Sequence, residues 1–260
     1  MRRFVRPLLA GLLLTATAFA GAVLAAGGPQ RAACPEDAGL PPLALPATHR
    51  ALHEGRPITI LAFGSSSTEG AGASAPESTY PARLEARLRA AMPGVALTVL
   101  NRGRGGEDVA EMLARLDREV LAAAPTLIIW QAGANAVLRG MAPDTFRATM
   151  AEGLARLQSG LGDRGDIVLM DSQRAPRILG VPTYPVFDSL MQGLAQDQHV
   201  PLFSRAELMR RWEARGDPPS EFLGEDGLHH DDHGYDCLAE ALGRSVVAAL
   251  HPPAVVAEKR

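Results

Sequence analysis

The sequence predicts an α/β protein, a three-layer sandwich in which helices cover both faces of a parallel sheet of about five strands. Two observations lead to this fold class. Strand-like apolar runs alternate with helical patterns along most of the chain, and strict alternation is typical of βαβ units with a parallel sheet. The first run, 58–63, is continuously apolar, as expected of a strand that is buried on both faces.

The predicted elements follow one another without an internal repeat. After the strand over 58–63, further strands are predicted over 95–100, 126–131, 167–171 and 200–203. Helices are predicted over 80–91, 109–123, 143–161, 187–198 and 235–250. The length of this part of the chain is within the range of one α/β domain.

The chain begins with a pattern that is typical of an export signal. Arg2, Arg3 and Arg6 precede an uncharged run rich in Leu and Ala, which ends in small residues. We predict a signal peptide over 1–26, whose removal leaves a secreted or periplasmic protein with no stable insertion in the membrane. An uncleaved anchor is the alternative, because the apolar run is almost long enough to span a bilayer.

A proline-rich arm is predicted over 27–56, between the signal peptide and a folded domain over 57–260. The arm contains several prolines and little periodicity, so we expect an extended segment before the first strand.

Composition and motifs argue against several classes of partner and cofactor. The formal net charge is −3, and no basic run follows the predicted signal peptide, so nucleic acid is not an expected partner. The sequence lacks a Gly-x-x-x-x-Gly-Lys-Ser/Thr loop and a Gly-x-Ser-x-Gly elbow. No cofactor is predicted, and the oligomeric state is left open.

Polar residues follow the predicted strands at positions that one sheet edge would bring together. Ser66 follows the first strand, 101–106 (NRGRGG) the second, and Asn135 the third, while Asp226 and His229 lie near the end of the chain. A hydroxyl, flexible glycine backbone, a side-chain amide and an Asp/His pair are the groups that acyl transfer requires. The alternative at 64–70 is a serine-rich loop that caps the next helix.

The spacing of Asp226 and His229 predicts a turn of helix that places both side chains on one face, with the carboxylate holding the imidazole. The segment 229–233 reads HHDDH, so a metal site is the alternative. Five consecutive ligand-type residues cannot converge on one ion, and no familiar zinc spacing is present. We therefore predict no metal.

Four stretches, in order, resemble the four sequence blocks of the SGNH (GDSL-type) hydrolase family of esterases and lipases. They are 64–70 (GSSSTEG), 101–106 (NRGRGG), 133–136 (GANA) and 226–229 (DGLH). The resemblance implies the flavodoxin-like SGNH hydrolase fold, with Ser66 as nucleophile and His229 as base, oriented by Asp226. It also implies an oxyanion hole formed by the backbone N–H groups of Ser66 and Gly106 and the side-chain amide of Asn135.

Two positions depart from the family's pattern. Ser65 stands where an Asp is usual, and Ala136 stands where a second acidic residue usually follows the Asn. Neither position belongs to the implied triad or oxyanion hole, so the departures concern the bracing of the loops and the fit of the substrate. Four nearby charged residues either line a polar substrate site or are solvated loop charges: Arg102, Arg104, Glu107 and Arg139.

The predicted function is an exported serine hydrolase that cleaves carboxylic esters through an acyl-enzyme on Ser66. The substrate is a small-molecule or saccharide ester. Two alternatives stay open: an O-deacetylase or acyltransferase that acts on envelope saccharides, and a non-catalytic carbohydrate-binding protein with the same fold.

Cys34 and Cys237 are the two cysteines of the chain, and we predict that they form a disulfide, because thiols of exported proteins are commonly oxidised. The alternative is a buried free thiol at Cys237 and an unrelated Cys34.

Overall fold

The structure is a computed structural model that describes residues 33–35 and 40–251 of the 260-residue chain. The predicted signal peptide over 1–26 lies outside the described residues. Within the described ranges, no helix has both the length and the apolar character needed to cross a membrane.

The centre of the fold is a five-stranded sheet in which every pairing is parallel. Its strands are β1 (Ile58–Gly64), β2 (Leu97–Gly103), β3 (Leu127–Gln131), β4 (Asp166–Met170) and β5 (Leu202–Phe203). Their order is β2-β1-β3-β4-β5. The predicted fold class is therefore confirmed, and the carboxyl ends of all five strands lie at one edge.

Helices connect these strands and cover the sheet on both faces. In the described part of the chain they are α1 (Pro46–His53), α2 (Ser66–Glu69), α3 (Tyr80–Ala91), α4 (Val109–Glu119), α5 (Ala134–Leu138), α6 (Pro143–Leu161), α7 (Pro176–Leu179), α8 (Tyr184–Asp197), α9 (Arg205–Arg215) and α10 (Asp232–Leu250). Short 3₁₀ helices cover Pro76–Ser78, Leu121–Ala123 and Pro219–Glu221.

The core explains why the central strands are apolar without alternation. β3 is buried at every position, and β1 at all but one. Trp130 of β3 packs against Phe63 of β1, with ring centroids 5.8 Å apart. On the other side, Gly153 of α6 lies so close to the Trp130 ring that a Cβ at this position would overlap it.

The arm contains a helix that the sequence did not predict. Over 46–53 the expected extended conformation is wrong, because α1 forms there with Pro46 in its first turn. No side chain at the N-cap position holds the start of this helix. Instead, the carboxylate of Asp166 in β4 accepts the N–H groups of Ala47 at 3.2 Å and of Thr48 at 2.7 Å. A carboxylate at a helix N-terminus satisfies free donors and favours the helix dipole.

The arm is also joined covalently to the domain. Cys34 and Cys237 form the predicted disulfide, with their Cα atoms 5.1 Å apart across a sequence separation of 203. Cys237 lies in α10, so the bridge fastens the arm to the helix that begins three residues after His229.

Candidate active site

The turn after β1 holds Ser66 at the carboxyl edge of the sheet. Ser66 is the first residue of α2 and is partly exposed. Ser65, at the N-cap position, makes no capping bond with its side chain. Its N–H and hydroxyl instead donate to Oε1 of Gln131 at 3.0 and 3.2 Å, and the Thr68 hydroxyl donates to the same oxygen at 3.1 Å. The buried side chain of Gln131, at the end of β3, therefore holds the turn on both sides of Ser66, through Ser65 and Thr68. A loop that only caps a helix would not need these contacts.

Ser66, His229 and Asp226 form one continuous line of hydrogen bonds. Ser66 Oγ lies 2.8 Å from His229 Nε2, and His229 Nδ1 lies 2.6 Å from Asp226 Oδ2. Because the Asp226 carboxylate can only accept a hydrogen bond, the imidazole tautomer that fits this contact carries its proton on Nδ1. Nε2 is then free to accept the Ser66 proton. The structure thus brings together the three residues that the sequence named as a triad.

The expected helical turn at 226–229 is wrong, because this segment is a loop. Gly227 adopts φ +61°, and Asp226 Oδ1 accepts the N–H groups of Leu228 at 2.9 Å and His229 at 3.0 Å. Burial alone would raise the pKa of Asp226, but the His229 and Leu228 N–H groups and the His229 side chain together lower it below its ordinary value. The side chain that orients the imidazole therefore also shapes the loop that carries it.

A second loop supports His229 from the other side. A Cβ at Gly72 would overlap the carbonyl oxygen of His230 and lie 3.2 Å from the His229 Cβ. The N–H and hydroxyl of Ser74 donate to the Asp232 carboxylate at 2.7 and 2.6 Å, which ties this loop to the start of α10. Sequence reasoning missed this support, since the glycine-rich run 70–75 carries no ligand-type pattern.

The loop after β2 lies beside Ser66. The position of a Cβ at Gly105 is 4.0 Å from the Ser66 Cβ, and Gly106 adopts φ +81°. Asn135, on α5, donates its amide to the carbonyl of Glu107 at 2.8 Å. The three loops that the sequence assigned to an oxyanion hole therefore meet at one place.

The charged residues in and around this loop are bonded to the protein. Arg104 contacts Glu119 at 2.6 Å, and Arg139 donates to the carbonyl of Gly106 at 2.6 Å. Arg102 reaches the carbonyl of Asn101 at 3.1 Å. The contacts of Arg104 and Arg139 favour a bracing role over a role as solvated charges, whereas the Arg102 bond is exposed and reaches the adjacent residue.

Arg115 is a further support that the sequence analysis did not identify. Its side chain is buried, with its guanidinium 4.6 Å from the centre of the Phe63 ring. It donates to the carbonyls of Gly64 at 3.2 Å and Arg102 at 3.0 Å and to the Glu107 carboxylate at 2.7 Å. One buried cation therefore joins the ends of β1 and β2 to the loop. A single arginine in an amphipathic helical pattern gives no sequence signal for this contact.

The histidines of 229–233 have different partners. His230 is buried, and its Nδ1 lies 2.8 Å from the Phe222 carbonyl. Burial, and then the nearby Arg205 cation, lower the pKa of His230 to about 3. His233 stacks on the Phe222 ring at 5.5 Å. Among the described residues, Cys34, His233 and Cys237 offer metal-ligand atoms within 4.8 Å of one another, but the two sulfurs are joined as the disulfide.

Comparison with known proteins agrees with this arrangement. An arylesterase from Vibrio mimicus is 28% identical over 157 residues, which is 60% of this chain and 74% of that protein. The fold is similar to a lipase/acylhydrolase from Enterococcus faecalis, with a TM-score of 0.62, 24% identity, and 73% and 95% of the two chains covered. It is also similar to an acetyl-xylooligosaccharide esterase from Geobacillus Stearmophilus, in a mutant form, with a TM-score of 0.60, 19% identity, and 73% and 94% coverage.

The predicted resemblance to esterases and lipases of the SGNH type is confirmed at the level of the family. The family model described as "Non-GDSL lipase-like family" matches residues 31–252, a range that includes every described residue. The first block of this chain has Ser65 where the Asp of a Gly-Asp-Ser motif would stand. The chain belongs to the non-GDSL lipase-like family.

Proposed function

We propose that this protein is an exported serine esterase that cleaves carboxylic esters through an acyl-enzyme on Ser66. The observation that carries the proposal is the line of hydrogen bonds from Ser66 through His229 to Asp226, 2.8 and 2.6 Å long. The family and the arylesterase relative support an ester-hydrolysing enzyme. The Cys34–Cys237 disulfide supports export, because disulfides persist in oxidising compartments.

The proposed reaction has two halves. Ser66 Oγ attacks the ester carbonyl while its proton passes to His229 Nε2, and the imidazolium then gives that proton to the departing alcohol oxygen as the C–O bond breaks. In the second half, water attacks the acyl-enzyme and loses a proton to His229. The same proton returns to Ser66 Oγ as the carboxylic acid leaves. Asp226 stays ionised throughout and stabilises the imidazolium.

The oxyanion that forms in each half needs donors that are already in position. Ser66 is the first residue of α2, so its N–H has no carbonyl within the helix to bond. Gly106 follows Gly105, whose Cβ position lies 4.0 Å from the Ser66 Cβ, and its backbone N–H is the donor that we take from this loop. The Asn135 amide uses one hydrogen for the Glu107 carbonyl and has a second for the oxyanion. We assign these three groups to the hole.

An O-deacetylase of saccharides is the second candidate, and the similarity to an acetyl-xylooligosaccharide esterase favours it. A panel of aryl esters of increasing acyl length and acetylated xylooligosaccharides separates the two: preference for acetylated saccharide supports the deacetylase, and comparable rates on simple aryl esters support the general esterase. Acyl transfer to a sugar acceptor, without release of free acid, would identify an acyltransferase.

Substitution of the nucleophile tests the proposal. We expect Ser66→Ala to lower kcat by roughly 10⁴-fold or more and to abolish labelling by a fluorophosphonate. Ser67→Ala is the matched control, because the Ser67 hydroxyl lies 3.5 Å from Gln173, and we expect it to retain most activity. Ser65→Ala should also remain active, although it loses a bond to Gln131. A wild-type protein that neither reacts with the fluorophosphonate nor hydrolyses any ester would favour the non-catalytic carbohydrate-binding alternative.

A further inference from the structure

Helix α5 and the residue that caps its C-terminus, Arg139, present two side chains to the loop 103–108, which we call the oxyanion loop. Asn135 and Arg139 are four residues apart, one helical turn, and the Arg139 N–H bonds the Asn135 carbonyl at 2.9 Å. Their side chains bind consecutive peptide groups: the Asn135 amide donates to the Glu107 carbonyl at 2.8 Å, and Arg139 Nη2 donates to the Gly106 carbonyl at 2.6 Å. A single helical turn therefore holds both carbonyls that follow the Gly106 N–H.

The rest of the Arg139 guanidinium is anchored to α4. Nη1 donates to the carboxylates of Asp108 at 3.0 Å and Glu111 at 2.9 Å. Asp108 is the N-cap of α4 and takes part in a capping box with Glu111. The planar guanidinium directs its donors along two fixed directions. It therefore joins the Gly106 carbonyl to the N-terminus of α4, which the capping box already holds in place.

Gly106 is the residue that needs such an anchor. It adopts φ +81°, a region that glycine enters freely, but glycine also leaves it freely because no Cβ restricts the backbone. Fixing the carbonyl on its carboxyl side restricts ψ, and the Glu107 carbonyl is fixed by Asn135. The two peptide groups that follow the Gly106 N–H are therefore both held, which limits how far Gly106 can move. Oxyanion donors must lie within a few tenths of an ångström of their productive position.

We propose that Arg139 is a positioning residue of the oxyanion hole, which acts through the Gly106 carbonyl and does not touch the substrate. The inference rests on the proposed function, since it assigns a purpose to the anchored loop only if Gly106 is an oxyanion donor. Its exposed side chain, 47% accessible, is therefore part of the site and not a solvated surface charge.

Kinetics of Arg139→Met test the role. This change keeps the aliphatic stem and removes every donor, and we expect kcat to fall by about 10-fold to 10²-fold with KM within about twofold, because a displaced donor affects the transition state more than substrate binding. Labelling by a fluorophosphonate should slow by a similar factor, since the phosphoryl oxygen needs the same donors. Arg139→Lys, whose ammonium can still reach the Gly106 carbonyl, should recover part of kcat.

Arg147→Met is the matched control. Arg147 lies on α6 and is 56% exposed, with an ion pair to Asp197 at 2.9 Å, so its loss removes a surface charge pair of the same kind away from the site. We expect unchanged kcat and KM. Wild-type kcat in Arg139→Met would overturn the inference, whereas the proposed function would still be judged by Ser66→Ala.

Hydrogen exchange gives a readout that does not depend on activity. In Arg139→Met the amides of Glu107 and Asp108, whose N–H groups bond the Arg104 carbonyl and the Glu111 carboxylate, should exchange at least about 10-fold faster than in the wild type, while those of α6 and α10 are unchanged. Exchange at the wild-type rate in this loop would overturn the inference even if the protein hydrolysed no ester in the panel.

Discussion

The two ends of the sheet each use an aspartate to hold backbone N–H groups, with different results. At the carboxyl end, Asp226 binds the N–H groups of Leu228 and His229 with one oxygen and keeps the other for the imidazole. At the amino end, Asp166 uses both oxygens on Ala47 and Thr48 of α1. Asp226 therefore has one partner, the His229 imidazole, whose charge changes during the proposed reaction. The N–H partners of Asp166 do not change charge, so this carboxylate contributes to stability.

This contrast predicts that substitutions at the carboxyl end of the sheet lower activity without lowering stability. Substitutions at the amino end should lower stability without lowering activity. The largest effect is expected for Asp226→Asn. The asparagine oxygen can still accept from Leu228 and His229, but its NH₂ group faces His229 Nδ1 and favours the tautomer with the proton on Nε2. That nitrogen can then no longer accept the Ser66 proton, so kcat/KM should fall by roughly 10²-fold to 10⁴-fold.

Steady-state kinetics and thermal unfolding on the same preparation check this result. Asp117→Asn is the control, because Asp117 is an exposed carboxylate on α4 that pairs with Arg156 at 2.7 Å. A melting temperature of Asp226→Asn far below that of the control would show that the carboxylate is needed mainly for the loop.

The disulfide tests whether the arm and α10 stabilise each other. Closing a loop of this size, with a sequence separation of 203, limits the unfolded chain, and the loss on reduction should reach up to about 5 kcal/mol. Urea unfolding of the oxidised and reduced protein, and of the Cys34→Ser/Cys237→Ser double variant, measures it. Activity below the unfolding transition should persist, since the bridge does not touch the triad. If both thiols were alkylated without prior reduction, the disulfide would not exist in solution.

Those parts of the structure that depend on nearby residues could be predicted from the sequence. The bounds of α3 and α6 are as predicted, and the five strands lie where the apolar runs indicated. Ser66, Gly106 and Asn135 could be predicted because each follows a strand whose carboxyl end lies at the same edge of the sheet, whereas Asp226 and His229, which come after α9, were predicted from their spacing. The bonds between Asp226 and His229 span three residues, and the only error there was the type of turn.

The features that the sequence did not reveal depend on partners far along the chain. α1 is held by a carboxylate 118 and 119 residues away, so its own eight residues give little reason for a helix. Arg115 looks like a solvated charge in a helical pattern until folding places the Gly64 carbonyl beside it, 51 residues away. α9 was missed as well. Its Arg205 is fully buried, whereas an arginine in a sequence pattern indicates an exposed position.

Asp171 is an exception to this division between the two ends of the sheet. It lies at the carboxyl end of β4, but its partners are those of a residue that stabilises the fold. It is buried and accepts the Ser204 hydroxyl at 2.5 Å and the Ala206 N–H at 2.9 Å. Burial raises the pKa of Asp171 from its ordinary value of 3.8 to about 6. The folded state therefore holds this proton more tightly than the unfolded state, and the stability that it contributes at low pH is lost as pH rises from about 4 to about 6.

We expect Asp171→Asn to remove this pH-dependent component. The asparagine can accept from Ala206 and donate to Ser204, so the fold should persist. The difference in unfolding free energy between pH 4 and pH 7 should change by on the order of 1–3 kcal/mol relative to the wild type. Urea unfolding at several pH values measures it. An identical pH dependence in the two proteins would mean that Asp171 ionises normally.

The smallest effect is expected at the amino end, where Thr48 fastens α1. Its buried hydroxyl lies 2.8 Å from the Thr126 carbonyl and 2.7 Å from the Asp166 carboxylate. Thr48→Val keeps the shape and removes the hydroxyl, which should cost about 1–2 kcal/mol of unfolding free energy because the Thr126 carbonyl and the Asp166 carboxylate lose the one hydrogen that they share. Thr48→Ser is the control that keeps the hydroxyl, and it should lose less. Both variants should have wild-type kcat and KM, because α1 precedes β1 and contacts the opposite end of the sheet from Ser66. A variant that kept its stability and lost activity would break the division between the two ends, since it would connect the amino end of the sheet to the chemistry at the carboxyl end.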